Sequence, residues 1–243
     1  MADGVRASDE LTIVIPAKNE ARLIPHLLVS LAQQDYPAMK ITKVVVADAA
    51  STDGTPEIVL GFRDRLNVQV VPGGYPSTGR NAGARLAFSE YLLFIDADIE
   101  LPDRTLVRRA LELMRRKRLH CVTANIRCRG GRLADRLLYA ANNLAQHLSR
   151  LARPFSTGMF MLFDRQRFEE LGGFNEKVLY AEDYLLSMQV DRRKFGIVSG
   201  CIYTSNRRFR KMGHLRLARL FLRTALNTRN PEYFLRDHKY WQR

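Results

Sequence analysis

The chain has 243 residues, of which 46% are hydrophobic, and it carries a formal net charge of +14 at pH 7. This length and apolar content suffice to bury one core, so we expect a single domain. Its three cysteines fit neither a disulfide framework nor a CxxC spacing, its acidic start is unlike a signal peptide, and no apolar run approaches the roughly 18 residues of a membrane-spanning helix. We therefore expect a cytoplasmic protein.

The positive charge is concentrated at one end of the chain. Residues 205–243 contain 11 lysines or arginines and two acidic residues, which is +9 of the total +14. A basic segment of this kind favours a polyanion, an anionic membrane surface or a phosphorylated ligand as its partner, and composition does not choose among the three.

Apolar runs and helical patterns alternate through the first 125 residues. The runs that predict strands are residues 11–15, 41–46, 68–71, 92–95 and 121–124. Helical patterns lie at residues 21–33, 81–89 and 103–117, and Thr55 followed by Pro56 resembles an N-cap and the first position of another helix. This alternation predicts an α/β fold with a mostly parallel, doubly wound sheet and helices on both faces.

Each of the first four predicted strands is followed by polar residues. These are Lys18 and Asn19, Asp48 and Asp53, Arg80 and Asn81, and Asp96 and Asp98. Because ligands of open α/β sheets bind beyond the carboxyl ends of the strands, we expect these side chains to meet at one edge of the sheet.

The second half of the chain is less regular. Its patterns predict helices at residues 132–152, 182–194 and 214–228 and strands at residues 159–163 and 197–203. The first of these helices is amphipathic, with five leucines on or near one face: Leu133, Leu137, Leu144, Leu148 and Leu151.

Asp96 and Asp98 directly follow a buried apolar run. Two carboxylates one residue apart at a strand end suit Mg²⁺ or Mn²⁺, which usually completes its shell with substrate phosphates. Capping of the next helix is the simpler interpretation of the same two residues. The polar ends of the neighbouring strands favour the metal site.

Other motifs give weaker signals. Residues 74–81 lie between a strand and a helix as a P-loop would, but Arg80 and Asn81 replace its Lys and Ser/Thr, and Pro76 removes an amide from the phosphate cradle. No GxGxxG follows the first strand, and the five histidines are scattered. His214 differs only in lying beside a basic, glycine-containing loop, which makes it a candidate to contact a metal or a phosphate.

Glu182 and Asp183 open a predicted helix. Acids in the first turn complement the helix dipole, which is a structural explanation for both. A general base at a helix N-terminus, aimed into the cleft, explains them equally well. The sequence leaves both interpretations open.

Six segments together resemble glycosyltransferase family 2, whose members have the GT-A fold and transfer a sugar from a nucleotide donor. In the family's order they are residues 12–20, 44–55, 79–84, 93–98, 168–176 and 182–185. The resemblance implies one GT-A domain with a nucleotide-binding half at residues 10–125, an acceptor-side half at 126–204, and a basic loop with C-terminal amphipathic helices at 205–243.

The resemblance also implies which residues bind the nucleoside. Asp48 and Arg80 would hold the nucleobase, and Pro16, Ala17 and Glu20 would line the nucleoside pocket.

Further residues would act on the diphosphate and the acceptor. Asp96 would lie near the ribose or the metal, Asp98 would bind the divalent ion that bridges the diphosphate, and Asp183 would be the catalytic base. Arg207 and Arg208 resemble the mobile basic loop that closes over the phosphates.

Two departures from the family pattern limit these expectations. Ala49 stands where the family usually has a second acid, which makes the choice of nucleotide less certain. The QxxRW motif of processive members does not occur, so we expect transfer of a single sugar.

The residue types fit this chemistry. A nucleoside diphosphate is a good leaving group, because phosphate oxygens stay ionised down to about pH 6. Charge stabilisation by Mn²⁺ or Mg²⁺ and by arginine therefore replaces the acid that a glycosidase needs. One base then suffices, and a single attack inverts the anomeric centre. We expect an inverting, metal-dependent transfer from a nucleotide-diphosphate sugar, UDP rather than GDP, to a hydroxyl acceptor.

Two other functions remain as alternatives. A sugar-nucleotide nucleotidyltransferase would have a glycine-rich, arginine-containing loop after the first strand, where this chain has Pro-Ala-Lys-Asn-Glu at residues 16–20. A nucleic-acid-binding protein would interleave aromatic residues with its basic ones.

The helix predicted at residues 214–228 places leucines and arginines on different sides. This pattern fits a helix on anionic lipid, or one packed on the domain with its arginines in water. We hypothesise peripheral contact with the inner face of a membrane, no nucleic-acid partner, and a glycan or lipid-linked acceptor recognised chiefly around residues 126–160.

Overall fold

The computed structural model describes residues 10–236 and residue 238. Its strands are β1 (Leu11–Ala17), β2 (Lys43–Asp48), β3 (Asn67–Pro72), β4 (Tyr91–Ile95), β5 (Ile99–Glu100), β6 (Cys121–Cys128), β7 (Phe160–Asp164) and β8 (Phe195–Thr204). Its α-helices are α1 (Ile24–Ala32), α2 (Thr55–Leu60), α3 (Pro76–Ala84), α4 (Leu106–Lys117), α5 (Leu133–Ser149), α6 (Arg165–Glu170), α7 (Glu182–Ser187), α8 (Arg207–Met212), α9 (His214–Leu226) and α10 (Pro231–Leu235).

The strands form one eight-stranded sheet in the order β3-β2-β1-β4-β7-β6-β8-β5. Strands β1 to β4 pair in parallel, and β6 and β8 are also parallel to each other. Strand β7 is antiparallel to both of its neighbours, so β6 runs in the same direction as β4. The predicted mostly parallel sheet is confirmed, with β7 and the two-residue β5 as its reversed strands.

Alternate residues of the strands enter two apolar layers. Ile13 and Ile15 of β1 pack with α1, α2 and α4 on one face, whereas Val14 packs with α3, α6 and α7 on the other. This alternation follows from the two-residue period of a strand, and a sheet covered on both faces explains why its central strands are apolar throughout. Helices therefore cover both faces, as the sequence predicts.

Helix α3 begins earlier than the pattern predicts, at Pro76 instead of residue 81. Glycine has a low helix propensity, which is why the stretch before residue 81 resembles a loop in the sequence. In the fold, Gly83 of the same helix lets α3 lie directly on the sheet, because a Cβ there would overlap the side chain of Val14. Tertiary packing outweighs local propensity here.

Two further predictions need correction. The helix predicted at residues 182–194 ends at Ser187, and a separate 3-10 helix covers Arg192–Lys194. Thr55 is the first residue of α2 and not its cap; Gly54 precedes it in the left-handed conformation (φ 86°), and the Asp53 carboxylate accepts from the Thr55 N–H at 3.1 Å.

Helix α5 buries the face opposite to its leucines. Tyr139 and Gln146 are buried, whereas Leu137, Leu144 and Leu148 are exposed. Helix α9 contacts α5, and its buried residues are Leu217, Leu220 and Thr224. Neither helix, nor any other in the described part of the chain, is long and apolar enough to cross a membrane.

The close contact between α3 and β1 gives a stability prediction. We expect Gly83→Ala to lower the free energy of unfolding by about 1–3 kcal/mol, because the added methyl group overpacks the core against Val14. In a Val14→Ala background the same substitution should cost less, since the two side chains share one space. Urea unfolding of the four variants measures both effects.

Gly79→Ala in the same helix is the matched control. Its Cβ would lie 3.4 Å from the side chains of Ala47 and Pro16, an ordinary contact, so higher helix propensity should leave stability equal or slightly raised. A Gly83→Ala variant as stable as Gly79→Ala would contradict the packing argument.

Candidate active site

The loops that follow β1 and β2 are joined by hydrogen bonds. The Asn19 N–H donates to Ser51 Oγ at 2.8 Å, and the Thr52 N–H donates to Asn19 Oδ1 at 2.9 Å. The Glu20 N–H donates to Thr55 Oγ1 at 2.9 Å. Since each bond joins one loop to the other, the two strand ends form one connected wall at the carboxyl edge of the sheet.

The residues expected to bind the nucleoside lie on this wall. Pro16 and Ala17 end β1, paired with Ala47 and Asp48 of β2. The Asp48 carboxylate accepts from the N–H of Ser51 at 2.9 Å and from its hydroxyl at 2.5 Å, so it also holds its own turn. Their contact with a nucleoside stays a prediction.

Arg80 lies beneath the site, with its side chain 2% exposed. Its Nη2 donates to Asp96 at 2.7 Å and its Nη1 to Glu182 at 2.5 Å, and its guanidinium lies 5.3 Å from the ring centre of Phe174. Burial of a charge is tolerated when it is paired in this way. Arg80 thus joins β4 to α7, and its predicted contact with the nucleobase is not tested by these contacts.

Burial of Arg80 acts to lower its pKa, but the charges of Asp96 and Glu182 outweigh this effect and raise it. Arg80 therefore stays a cation. Its Nε has no hydrogen-bond partner among the described residues.

Asp183 stands in the first turn of α7, after Ala181 in a left-handed conformation (φ 59°) that is uncommon for a residue with a Cβ. One carboxylate oxygen accepts from the N–H of Gly158, and the other accepts from the N–H of Tyr184 at 2.7 Å. Burial raises the pKa of Asp183, while Arg80 acts to lower it. A carboxylate with a raised pKa is a stronger base than an exposed one.

Gly158 is a functional position that the sequence patterns missed. A Cβ there would overlap the Arg80 guanidinium and lie 3.2 Å from an Asp183 oxygen, so only glycine fits between the two. No sequence pattern reveals that this position needs a glycine. The residues that require it, Asp183 and Arg80, are about 25 and 78 positions away in the chain.

Asp98 faces the arginines that begin α8. Arg207 binds Glu20 through two hydrogen bonds of 2.6 and 2.9 Å and reaches Asp98 at 3.2 Å. Burial and then the charge of Asp96 raise the pKa of Asp98, and the charges of Arg208 and Arg207 act to lower it. The structure therefore brings together Glu20, Asp98 and both predicted arginines.

The oxygen-rich edge fits a divalent ion in part. Residues 10–236 and 238 contain no group of three or more His, Cys, Asp or Glu side chains placed to hold a metal. Mg²⁺ bound through one or two carboxylates and substrate phosphates does not need such a group. The charge of Asp96 contributes to the raised pKa of Asp98, and a divalent cation between the two carboxylates would offset this repulsion.

His214 is engaged elsewhere. Its Nε2 lies 2.5 Å from Asp135 Oδ1, and its ring stacks on Phe209 at 5.3 Å. Asp135 also accepts from Asn206 Nδ2 at 3.2 Å and from the Arg132 N–H at 2.8 Å, so these contacts tie the start of α9 to α5. The metal contact of His214 is still a prediction.

Asn81 binds the protein rather than facing the cleft. Its side-chain amide exchanges hydrogen bonds of 2.8 and 3.0 Å with the backbone of Phe174 and donates to Glu176 at 2.9 Å. The sequence predicts Asn81 in the loop after β3, whereas the structure places it inside α3, which begins at Pro76.

A cavity of about 400 Å³ opens beside the site. Arg80, Asp96 and Asp183 lie at its polar end, and α5, the 155–159 segment and α9 each contribute five residues to its other walls. Residues 126–160, around which the sequence predicts acceptor recognition, supply part of this lining, and the acceptor contact itself stays a prediction.

Solved structures with a similar fold include glycosyltransferases. PcManGT, a mannosyltransferase from Pyrobaculum calidifontis solved with GDP-Man and Mn²⁺, matches 93% of this chain and 72% of its own, with a TM-score of 0.67 and 24% identity. A structure of Staphylococcus aureus TarS with UDP-GlcNAc matches 82% of this chain and 59% of its own, with a TM-score of 0.65 and 22% identity. At these identities the likeness shows the fold, which is the GT-A fold of nucleotide-sugar glycosyltransferases.

The sequence is also similar to curated glycosyltransferases. The Staphylococcus aureus poly(ribitol-phosphate) beta-N-acetylglucosaminyltransferase TarS is 37% identical over 101 residues, which are 40% of this chain and 18% of TarS. The 4,4'-diaponeurosporenoate glycosyltransferase of Staphylococcus haemolyticus is 25% identical over 201 residues, which are 79% of this chain and 50% of that protein. The chain spans half or less of these relatives. The model for glycosyl transferase family 2 matches residues 12–172, more than half of the chain, and the chain belongs to this family.

The Arg80 ion pairs give a pH-dependent stability prediction. Arg80→Met leaves Asp96 and Glu182 without their shared cation, and we expect a loss of about 3–5 kcal/mol at pH 8, as for other broken buried pairs. Burial and the charge of Asp183 already raise the pKa of Glu182 above 4.5, and the variant should raise it further. The folded state then holds more protons than the unfolded state above pH 4.5, so stability falls as pH rises and the loss is smaller at pH 5.

Urea unfolding at pH 5 and pH 8 measures this difference. Arg85→Met is the control, because Arg85 is exposed and lies 3.4 Å from Glu176; it should change stability by less than about 1 kcal/mol at either pH. Equal losses at the two pH values in Arg80→Met would contradict the electrostatic explanation.

Proposed function

We propose that this protein is an inverting, metal-dependent glycosyltransferase that moves one sugar from a nucleotide-diphosphate sugar to a hydroxyl acceptor. One observation supports this most directly: Asp183 lines the same cavity as Asp96, with Arg80 paired to Asp96 between the donor edge and α7. A base for the acceptor and one carboxylate of the donor edge, Asp96, therefore border one space. The family membership supports the same reaction class.

On the donor side, Asp98, with Asp96 beside it, would hold Mn²⁺ or Mg²⁺. A bound divalent ion supplies Lewis-acid stabilisation of the charge that develops on the leaving diphosphate. Arg207 and Arg208 contribute further positive charge at the same edge, and their charges already act on Asp98. Binding of a diphosphate would give Arg207 a stronger anionic partner than Glu20.

On the acceptor side, Asp183 accepts the proton of the attacking hydroxyl. Its two oxygens are positioned by the N–H groups of Gly158 and Tyr184, which fixes the direction of its lone pairs. Arg80 stays charged beneath it and stabilises the carboxylate form. Because the proposal uses one base and one displacement, the anomeric configuration inverts.

We favour a UDP-sugar as donor. TarS, which shares the fold, was solved with UDP-GlcNAc, and PcManGT was solved with GDP-Man, so both nucleotides occur among similar folds. The wall formed by Pro16, Ala17, Glu20 and Asp48 would receive the nucleoside. For the acceptor we favour a lipid-linked molecule or a cell-envelope glycan.

Substitution of the two carboxylates separates donor binding from catalysis. Asp183→Asn should reduce transfer by about 10²–10⁴-fold through loss of the base, while stabilisation by UDP and Mn²⁺ persists. Asp98→Asn should lose that Mn²⁺-dependent stabilisation as well as transfer. A thermal-shift panel of nucleotide sugars with and without Mn²⁺, followed by assays of UDP release, measures both quantities.

Asp64→Asn provides the control, because Asp64 is exposed and lies in the segment between α2 and β3. It should behave as the unmodified protein in both assays. Near-normal transfer by either site variant would overturn the assignment of roles.

We also propose that α9 contacts an anionic membrane. Leu215, Leu222 and Leu226 are exposed along one side of the helix, and Arg216 and Arg223 are exposed beside them. Exposed leucines next to arginines match the pattern of helices that lie in the membrane interface.

Vesicle sedimentation tests this contact. The full chain should bind vesicles that contain phosphatidylglycerol, less at high salt, and Leu222→Glu should weaken binding. Phe88→Glu is the control, since Phe88 is an exposed apolar residue between α3 and β4, at the opposite edge of the sheet. Failure of the unmodified protein to bind would discard the membrane contact.

A further inference from the structure

The cavity beside Asp183 has two chemically different ends. Its polar end holds four residues of the candidate active site, which are Arg80, Asp96, Glu182 and Asp183. The rest is mainly carbon, including Leu138, Ala141 and Ala145 of α5 and Leu217, Ala218 and Phe221 of α9. Its volume of about 400 Å³ lies within the range of roughly 300–1,000 Å³ typical of small-molecule sites.

Two polar atoms of this lining lack a hydrogen-bond partner among the described residues, Arg80 Nε at the polar end and Asn142 Nδ2 on α5. The Nδ2 of Asn142 on α5 is buried and has no hydrogen-bond partner among the residues that the structure describes. An unpaired buried donor costs about 1–3 kcal/mol unless something accepts from it. Asn142 therefore places one unpaired, buried donor in the largely apolar part of the lining.

We propose that this cavity binds the apolar body of the acceptor, so that the acceptor is a hydroxyl-bearing amphiphile. Its hydroxyl lies at Asp183, its hydrocarbon part lies between α5 and α9, and Asn142 donates to an acceptor oxygen. The inference rests on the proposed glycosyl transfer and adds the chemical class of its substrate.

Desolvation favours this occupant over a free glycan. A sugar has a hydroxyl group on most of its carbons, and each one buried without a partner costs about 1–3 kcal/mol on mutational scales. The leucine, alanine and phenylalanine side chains of α5 and α9 cannot satisfy those groups, whereas they gain free energy from contact with a hydrocarbon chain. The lining also holds hydroxyl-bearing residues, among them Ser156 and Thr157, but most of its surface is carbon.

The surface around the cavity continues its apolar lining. With 3.6 residues per turn, Leu144 and Leu148 lie next to Ala141 and Ala145 on α5. On α9, Leu222 likewise lies beside Ala218. These leucines are exposed, so an apolar path joins the cavity to the surface proposed to contact the membrane. An amphiphile held in a bilayer has a direct route to Asp183 along this path.

Binding of hexan-1-ol, octan-1-ol and decan-1-ol to the full chain, measured by calorimetry, tests the proposal without a donor. We expect affinity to rise about three- to fourfold per added methylene, because each buried CH₂ contributes a constant increment of free energy. Ala145→Phe, which fills the cavity, should reduce decan-1-ol affinity at least tenfold. Ala140→Phe on the same helix, at an exposed position outside the lining, should not.

Asn142→Leu tests the polar contact. It should lower the affinity of all three alcohols by the same factor, about two- to tenfold, and leave the increment per methylene unchanged. A purely structural role would not move the three affinities in parallel.

Two outcomes would overturn the inference: affinity independent of chain length, or equal binding by Ala145→Phe and Ala140→Phe. Stabilisation by UDP and Mn²⁺ is measured on the same samples. If UDP and Mn²⁺ do not stabilise the unmodified protein, the proposed donor chemistry is wrong. If they stabilise it but none of the alcohols binds, only the apolar acceptor is rejected.

Discussion

The buried guanidinium of Arg80 is the contact on which the site depends. It is 2% exposed and binds Asp96 after β4 and Glu182 at the start of α7. A charge in such a position is stable only when its partners are held in place, so the ends of these two elements are fixed relative to each other. The close approach of Gly158 completes the arrangement, because any larger residue would separate Arg80 from Asp183.

This contact joins two parts of the chain with different architectures. The first part is a parallel sheet whose strand ends present the polar wall and the carboxylates of the donor edge. The later part supplies α7, α8 and α9, which bring the predicted base Asp183, two arginines and part of the cavity wall to this edge. Chemistry at a parallel sheet edge is thus completed by elements that are remote in sequence, as is usual for open α/β sheets.

The cationic start of α8 connects the edge that carries Asp98 with the cavity. Arg207 pairs with Glu20 and Asp98 at the donor edge, while Phe209 of the same helix stacks on His214 and borders the cavity. His214 in turn is bound to Asp135 of α5. If α8 moved on binding a diphosphate, the wall of the cavity would move with it, because Arg207, Arg208 and the lining residue Phe209 belong to the same short helix.

The sequence by itself determined the order of strands and helices in the first half, the edge at which the polar residues meet, and the family. These features follow from local pattern: apolar runs with a period of two or 3.6 residues, and polar residues at fixed offsets after the strands. The expectation that Asp96, Asp98 and Asp183 lie around one cleft comes from the same patterns together with the resemblance to the family, and the structure places Asp96 and Asp183 in the lining of one cavity.

Only the tertiary structure decided which faces are buried and which distant residues meet. The leucines of α5 form a regular stripe, but periodicity cannot say that the opposite face, with Tyr139 and Gln146, is the buried one. Helix α3 forms despite its glycines because close packing on Val14 outweighs propensity. Gly158, the Arg80 ion pairs and the cavity between α5 and α9 depend on contacts between segments far apart in the chain, and such contacts leave no periodic signal in the sequence.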